Sequence, residues 1–235
     1  MINNDISRLL ITVGIPCFNA ETTISHAIRS AQLQTYPNLE ILVVDDYSSD
    51  NSRKIIQSLS RDDNRIRVLC NGSNYGPGYV RNRIVNEAKG EYIVFFDDDD
   101  ESLPDRIEKQ LQYIEQYKGQ TDANLIACYV SGERYYDNGY IKPFYAVGTH
   151  GRHPVGHEMA DFLLFYGKKK HVCYGNGTPS CALMASKETF IAVGGFDVNF
   201  RRLEDVDFAI KLALTGGHFI GCSETLLIQH ATQAP

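Results

Sequence analysis

Four consecutive carboxylates, Asp97 to Asp100, follow the apolar run Tyr92-Ile93-Val94-Phe95-Phe96 with no turn residue between them. Charges this close repel one another. At the exit of a buried strand, such a run makes sense chiefly when a divalent cation, and something the cation holds, sits over it, because hard cations take carboxylate oxygens as ligands. A second acidic pair, Asp45-Asp46, follows a similar run, Ile41-Leu42-Val43-Val44. Two acidic strand ends point to one site.

Three readings compete for Asp97 to Asp100. A solvated acidic loop is the usual fate of a charge run, but the adjacent buried strand and the second acidic pair at the equivalent edge weaken it. An EF-hand loop would use Asp97, Asp99, Glu101 and Glu108 at positions 1, 3, 5 and 12. It fails because Ser102 replaces the glycine of the sharp turn and a strand leads in. The third reading, a metal-bridged diphosphate site, matches the strand-end position at which α/β sheets bind ligands. His150, His153 and His157 with Glu158 invite a zinc reading, yet Gly151, Pro154 and Gly156 mark an irregular loop with no Cys-His spacing pattern.

The elements that must position these residues alternate along the first half. Leu9 to Ile15 reads as strand, and Ile24, Ala27, Ile28 and Ala31 recur at helical spacing before the strand Ile41 to Val44. Ile55, Ile56 and Leu59 mark a second helix, Ile66 to Leu69 a third strand, and Val80, Ile84 and Ala88 a third helix before Tyr92 to Phe96. Repeated βα units with strands apolar on both faces imply an α/β fold, a mostly parallel sheet flanked by helices. Pro104 is expected to open a helix marked by Ile107, Leu111 and Ile114. The second half, from about 118, is less regular. Leu125 to Val130 reads as strand and Asp137-Asn138-Gly139 as a hairpin turn. From Val147 to Gly177 only loop-like composition appears, with one apolar stretch, Phe162 to Tyr166, read as a core helix before a solvated Lys168-Lys169-Lys170 loop. The alternative for that stretch is contact with an anionic membrane or a lipid-linked acceptor. Ser186 is expected to cap a short helix ending at Gly194-Gly195, and Asp205 to Thr215 a further one.

The 235 residues suit one domain, with 43% hydrophobic and 22% charged residues. A net charge of −6 gives no general reason to bind nucleic acid. The six cysteines show no close C-x-x-C pair, which fits free thiols in a reducing compartment. The first apolar run is too short to span a bilayer and has no cationic leader, so the chain reads as cytoplasmic.

Ile15-Pro16-Cys17-Phe18-Asn19, Val44-Asp45-Asp46-Tyr47-Ser48-Ser49-Asp50, Arg81-Asn82, Gly90-Glu91-Tyr92-Ile93 and Asp97 to Asp100 with Pro104 occur in this order. They are followed by Gly194-Gly195-Phe196-Asp197 and Glu204-Asp205-Val206-Asp207. The ordered set resembles the family 2 glycosyltransferases of the GT-A fold, over about residues 9–117 and 180–217. The resemblance implies inverting transfer of a sugar from a nucleotide diphosphate donor, usually a uridine one, to a glycan or lipid-linked acceptor. Residues 9–117 would form the nucleotide-sugar half and 118–235 the acceptor half. It further implies that Asp46 accepts the base N3–H, with Asp45 structural by strand alternation, and that Pro16 and Asn19 line the nucleotide pocket. Arg81 would approach the diphosphate or else form a surface salt bridge. Asp97-x-Asp99 is similar to the DxD motif: Asp99 becomes the ligand of Mn²⁺ or Mg²⁺, with Asp97 or Asp98 toward the ribose. His230, at the end of the run Thr225 to Gln229, is a further metal ligand by the same resemblance. Asp205 becomes the base that takes the acceptor proton, and Glu204 orients acceptor hydroxyls or supports loop geometry.

Three rivals compete with this reading, and a phosphatase with a strand-end aspartate nucleophile falls first, since its Asp-x-Asp would follow the first strand and not the fourth. A sugar-phosphate nucleotidyltransferase would want a glycine-rich basic loop after the first strand, and Pro16 to Ala20 has no such character. A non-catalytic nucleotide-sugar binding module would keep the pocket, but Asp99 and Asp205 together argue for chemistry. The donor sugar, the acceptor linkage and the oligomeric state have no signature in the chain, and specificity is expected to reside in residues 130–180.

Overall fold

The computed structural model describes residues 8–231. Strands and helices alternate from the start: β1 (Ile11–Cys17), α1 (Ile24–Gln32), β2 (Leu39–Asp45), α2 (Ser52–Asp62), β3 (Ile66–Cys70), α3 (Pro77–Glu87) and β4 (Tyr92–Phe95). Every residue of β2 and β4 is buried, as expected of a parallel sheet covered on both faces. α1 buries Ile24, Ala27, Ile28 and Ala31, the set anticipated from its spacing. β1 lies between β2 and β4 and runs parallel to both. The chain therefore moves outward from β1 to β3, then returns to the other side of β1. Loops diverge at such a reversal and leave a crevice at the carboxyl ends of the strands. The β1 end is fixed there by register: Cys17 pairs with Asp45, and the Phe96 N–H donates to the Gly14 carbonyl.

The acidic run leads into a two-residue strand, β5 (Glu101–Ser102), and α4 (Arg106–Lys118). α4 starts later than the proline suggested. Pro104 precedes the N-cap Asp105, and its carbonyl accepts the Thr35 N–H at 2.7 Å, which ties this turn to the α1–β2 connection. β6 (Ile126–Tyr135) and β7 (Ile141–Phe144) form the expected hairpin around Asp137-Asn138-Gly139; Gly139 sits at φ +81°, a conformation that favours glycine.

Residues 147–177 are not all loop. They contain α5 (His157–Phe165), which buries Glu158, Met159 and Ala160 and packs against the later helix Glu204–Leu214. The core-helix reading of Phe162 to Tyr166 fits Phe162 and Leu163, which pack against the core, and is corrected for the rest: Leu164, Phe165 and Tyr166 are 50, 77 and 80% exposed. Consecutive apolar residues wrap right around a helix, so they cannot all face one partner.

A 3-10 turn, Ser180–Ala182, leads to β8 (Leu183–Ser186), antiparallel between β4 and β6. Ser186 caps α6 (Lys187–Ala192) by accepting from the Thr189 N–H. α7 (Glu204–Leu214) precedes β9 (His218–His230). β9 runs parallel to β6 with register shifts around Ser131, which bend a long strand. Its end then pairs antiparallel with β5, Glu101 opposite Ile228. One sheet, ordered β3-β2-β1-β4-β8-β6-β9-β5, thus runs through both halves. All six cysteines are free, and no helix among the described residues is long and apolar enough to cross a membrane.

Candidate active site

A cavity of about 470 Å³ occupies the crevice, and Pro16, Asp46, Arg81, Asp97, Asp98 and Asp99 all line it. Four separate segments of the chain contribute these side chains. Asn19 does not line it. At φ +51° it turns its amide oxygen to the Ser49 N–H at 2.8 Å while its own N–H donates to Ser48 Oγ. Asn19 therefore clasps the loops after β1 and β2.

The two aspartates at the end of β2 face opposite ways, as strand alternation requires. Asp45 turns to α2, where it accepts from Arg53 Nη2 at 2.8 Å and from the Ser48 N–H at 3.3 Å. Asp46 turns to the cavity. Its Oδ1 accepts from Asn71 Nδ2 and the Tyr75 N–H, and its Oδ2 from the Gly76 N–H at 2.7 Å. Gly76 is at φ +91°, and a Cβ there would lie 2.6 Å from the Arg201 guanidinium. Arg201 lines the same cavity.

The acidic run forms the wall between this cavity and a second, of about 370 Å³, lined by Asp97, Asp99, Asp100, Arg134, Gln229 and His230. Asp98 accepts the Phe18 N–H at 2.9 Å. Burial, with Asp97 and Asp99 adding, pushes its carboxyl up to about 7. Burial and Asp97 raise Asp99, while His230 nearby works the other way. Burial and the charges of Asp97 and Asp99 raise Asp100 as well. His230 is exposed and edge-on to Tyr135 at 6.1 Å.

Beneath the run lies Arg106, fully buried with its guanidinium 4.7 Å from the Phe96 ring centre. It donates to the Phe95 carbonyl, Ser102 Oγ and Gln110 Oε1. Burial lowers its pKa to about 10, so it stays cationic at neutral pH and attracts the run from below. Among the described residues, the potential ligand atoms that lie within 4.8 Å of one another belong to Asp97, Asp100 and Cys181. Burial raises the Cys181 thiol far above its ordinary value, so it remains protonated and is no ligand for a hard cation.

Arg81 is not a surface residue. It is 6% exposed, with Nη1 donating to Glu204 at 2.6 Å and Nη2 to Asp97 at 3.0 Å. Glu204 is itself buried, and this pair ties it to α3, an arrangement that suits the loop-supporting alternative better than contact with acceptor hydroxyls. The neighbouring Asn82 explains the rest of the motif. Its amide donates to the Phe196 carbonyl at 2.7 Å and accepts the Phe196 N–H at 2.8 Å, clamping α3 to the Gly194-Gly195-Phe196-Asp197 turn. Asp205 opens α7 and accepts the Val206 N–H. Burial raises its carboxyl, with Glu204 adding and Arg81 opposing. Its charge also bears on Tyr129.

The three loop histidines do not converge. His150 faces Cys173, His153 stands edge-on to Tyr117, and His157 starts α5. Sequence reasoning missed Arg106, Arg201 and the Asn71–Gly76 cradle of Asp46. Arg201-Arg202 just before Glu204-Asp205 was the available signal for one of them.

A sequence profile of glycosyl transferase family 2 matches residues 12–174. The UDP-Glc:alpha-D-GlcNAc-diphosphoundecaprenol beta-1,3-glucosyltransferase WfgD of Escherichia coli is 41% identical over 102 residues, 43% of this chain and 40% of that protein. The chain spans about half or less of the length of other curated relatives it matches. The structure of Staphylococcus aureus TarS 1-349 in complex with UDP-GlcNAc superposes with a TM-score of 0.72 at 20% identity, covering 97% of this chain and 60% of that one. The mannosyltransferase PcManGT from Pyrobaculum calidifontis, in complex with GDP-Man and Mn²⁺, gives 0.66 at 15% identity, covering 95% and 57%. These likenesses give the GT-A architecture, and with the profile spanning most of the chain, this protein is a glycosyltransferase of family 2.

Proposed function

We propose that the chain transfers a sugar from a UDP-sugar to a hydroxyl of a lipid-linked glycan, with inversion and with a divalent metal. One observation carries this reading: Asp46 and the acidic run face a single crevice, and Asp205 is coupled to that crevice through Glu204, Arg81 and Asp97. The E. coli relative's UDP-Glc donor and diphosphoundecaprenol-linked acceptor, and the UDP-GlcNAc and Mn²⁺ of the two structural neighbours, support it.

Asp46 accepts three hydrogen bonds from the protein, and a carboxylate has about four lone-pair sites. The remaining one is available to the uracil N3–H, with Pro16 against the base. Asp97 or Asp98 takes the ribose hydroxyls, and Arg201, at the cavity mouth, meets diphosphate oxygens as a planar fork. Asp205 accepts the acceptor hydroxyl proton as that oxygen bonds the anomeric carbon, while the carbon–oxygen bond to the diphosphate breaks on the opposite face. Its raised pKa brings it closer to the value that favours a general base near neutrality.

The residues fit a metal. A run of carboxylate oxygens is a hard donor set, and a cation there would offset the repulsion among the neighbouring carboxylates of Asp97, Asp98 and Asp99. Asp99 would hold it, with His230 on the far side of the run. When bound, the ion supplies neutralisation of the leaving diphosphate.

Leu164 and Phe165 at the exposed end of α5, with Tyr166 just after it, precede three exposed lysines, 168–170. We place a peripheral contact with an anionic bilayer there, where apolar and basic side chains act together.

Thermal unfolding with UDP tests the donor reading, since a ligand of the folded state raises stability by mass action. UDP should stabilise the protein more with Mn²⁺ than with chelator, and Asp99→Asn should abolish the difference. Equal stabilisation of the wild type in chelator would remove the metal bridge; a preference for GDP would overturn the uridine assignment.

A further inference from the structure

A third cavity, of about 180 Å³, lies between the β6–β7 hairpin and residues 176–182. Arg134 and Gln229 line both it and the second cavity, so it continues the site on the acceptor side of the acidic run. No carboxylate lines it, in a chain where acidic residues outnumber basic ones. Arg134 and Lys142 are direct cross-strand partners, and among the described residues neither has a carboxylate within ion-pair distance. Like charges placed directly opposite disfavour a hairpin, and no ion pair offsets this one.

The other polar groups point the same way. Tyr129 is 1% exposed, it lines the cavity, and its hydroxyl has no hydrogen-bond partner. Leaving a buried hydroxyl unpaired costs free energy. The Asn176 amide oxygen is occupied by the Tyr145 N–H at 2.7 Å, which leaves its NH₂ to donate. Gln229 Oε1 takes one Arg134 nitrogen, and the other donors of the guanidinium remain. A guanidinium fork and an ammonium, both exposed, with a buried phenol and an amide NH₂, make a set of donors around one small pocket. A tetrahedral group bearing several acceptor oxygens satisfies all of them at once.

We propose that this cavity binds a phosphate ester of the acceptor, the diphosphate that joins its sugar to a lipid. This rests on the glycosyl-transfer reading above and names the acceptor's anionic group. Tyr129 then links the two parts of the site, with its hydroxyl on the phosphate and its ring within reach of the Asp205 field.

Hexyl diphosphate, titrated calorimetrically into protein saturated with UDP and Mn²⁺, tests the assignment without any sugar transfer. Saturation keeps the probe out of the donor diphosphate site. The wild type should bind it, Lys142→Gln and Arg134→Gln should each weaken it about tenfold, as expected for one charge-assisted hydrogen bond, and the double variant about a hundredfold. Tyr129→Phe should weaken it by a smaller factor while UDP affinity, measured in the same samples, stays at the wild-type value. Unchanged binding in the double variant, or hexanol binding as tightly, would overturn the site. Glucuronate competing as well as the diphosphate would overturn the phosphate and point to an acidic sugar. If the wild type fails to bind UDP, the donor reading falls instead, and the probe titrated alone against the same variants still decides the cavity.

Discussion

Arg81 offers the sharpest test of how the two halves of the site are joined. Its guanidinium is 6% exposed and bridges Glu204 at 2.6 Å to Asp97 at 3.0 Å. Arg81→Met leaves Glu204 buried without a cation, and breaking a buried pair from one side costs about 3–5 kcal/mol. At ~2–4 °C per kcal/mol for a chain of this length, the melting temperature should drop by about 6–20 °C. Glu204→Gln is milder, about 1–3 kcal/mol, because Arg81 keeps Asp97. The double variant removes both charges of one arm, so it should be more stable than the sum of the singles predicts. A coupling of about 1–3 kcal/mol is expected from urea unfolding of all four proteins. Additivity within about 0.5 kcal/mol would refute the reasoning, since it would mean that Glu204 and Arg81 do not rely on one another.

Asp205→Asn should leave UDP affinity intact and lower transfer to a lipid-linked acceptor by about 10²-fold or more; full transfer by a folded variant would end its assignment as the base. His230→Ala should loosen Mn²⁺ in the UDP complex while leaving metal-free UDP affinity unchanged, as read by metal titration, and wild-type Mn²⁺ affinity would make His230 a plain strand-end residue. Burial pushes the Glu40 carboxyl up, but hydrogen bonds from the Lys89 N–H, Arg67 and Thr12 outweigh it and hold it below its ordinary 4.5. A depressed carboxyl stabilises above its unfolded value and loses that contribution as pH falls through its folded one, so the stability gap between wild type and Glu40→Gln should narrow from pH 6 down to pH 3. Replacing Lys168, Lys169 and Lys170 by Gln should weaken sedimentation with phosphatidylserine vesicles by about 1 kcal/mol per charge at most, and unchanged sedimentation would move the membrane contact elsewhere.

Much of the nucleotide-side architecture was legible because its signals are local. Ile41 to Val44 and Tyr92 to Phe96 are continuous apolar runs, and burial on both faces follows from that without knowing what covers them. Ser186 could be read as a cap from its neighbours alone, since the bond it accepts comes from three residues on. The opposite facing of Asp45 and Asp46 follows from the pleat of one strand. The start of α5 at His157 and the face it buries escaped because Phe162 to Tyr166 carries no helical period, and Pro104 misled because its role lies in a contact with Thr35 rather than in the helix beside it.

What the sequence by itself determined is the βα order, the strand ends at which carboxylates emerge, and the ordered motifs that mark a family 2 glycosyltransferase. Only the tertiary structure decided which of those carboxylates are free. Arg81 and Glu204 are 123 residues apart in the chain, and nothing in either neighbourhood shows that they pair, so Glu204 reads equally as an acceptor ligand or a loop support until α3 and α7 are seen side by side. In the same way, His230 reaches the acidic run only because β9 bends across β6 to pair with β5. Arg134 and Lys142 face one cavity only through hairpin register. Local periodicity and capping act over a few residues and survive in the linear chain. Register and the meeting of distant helices are set by how the whole core closes, and no short stretch of sequence contains them.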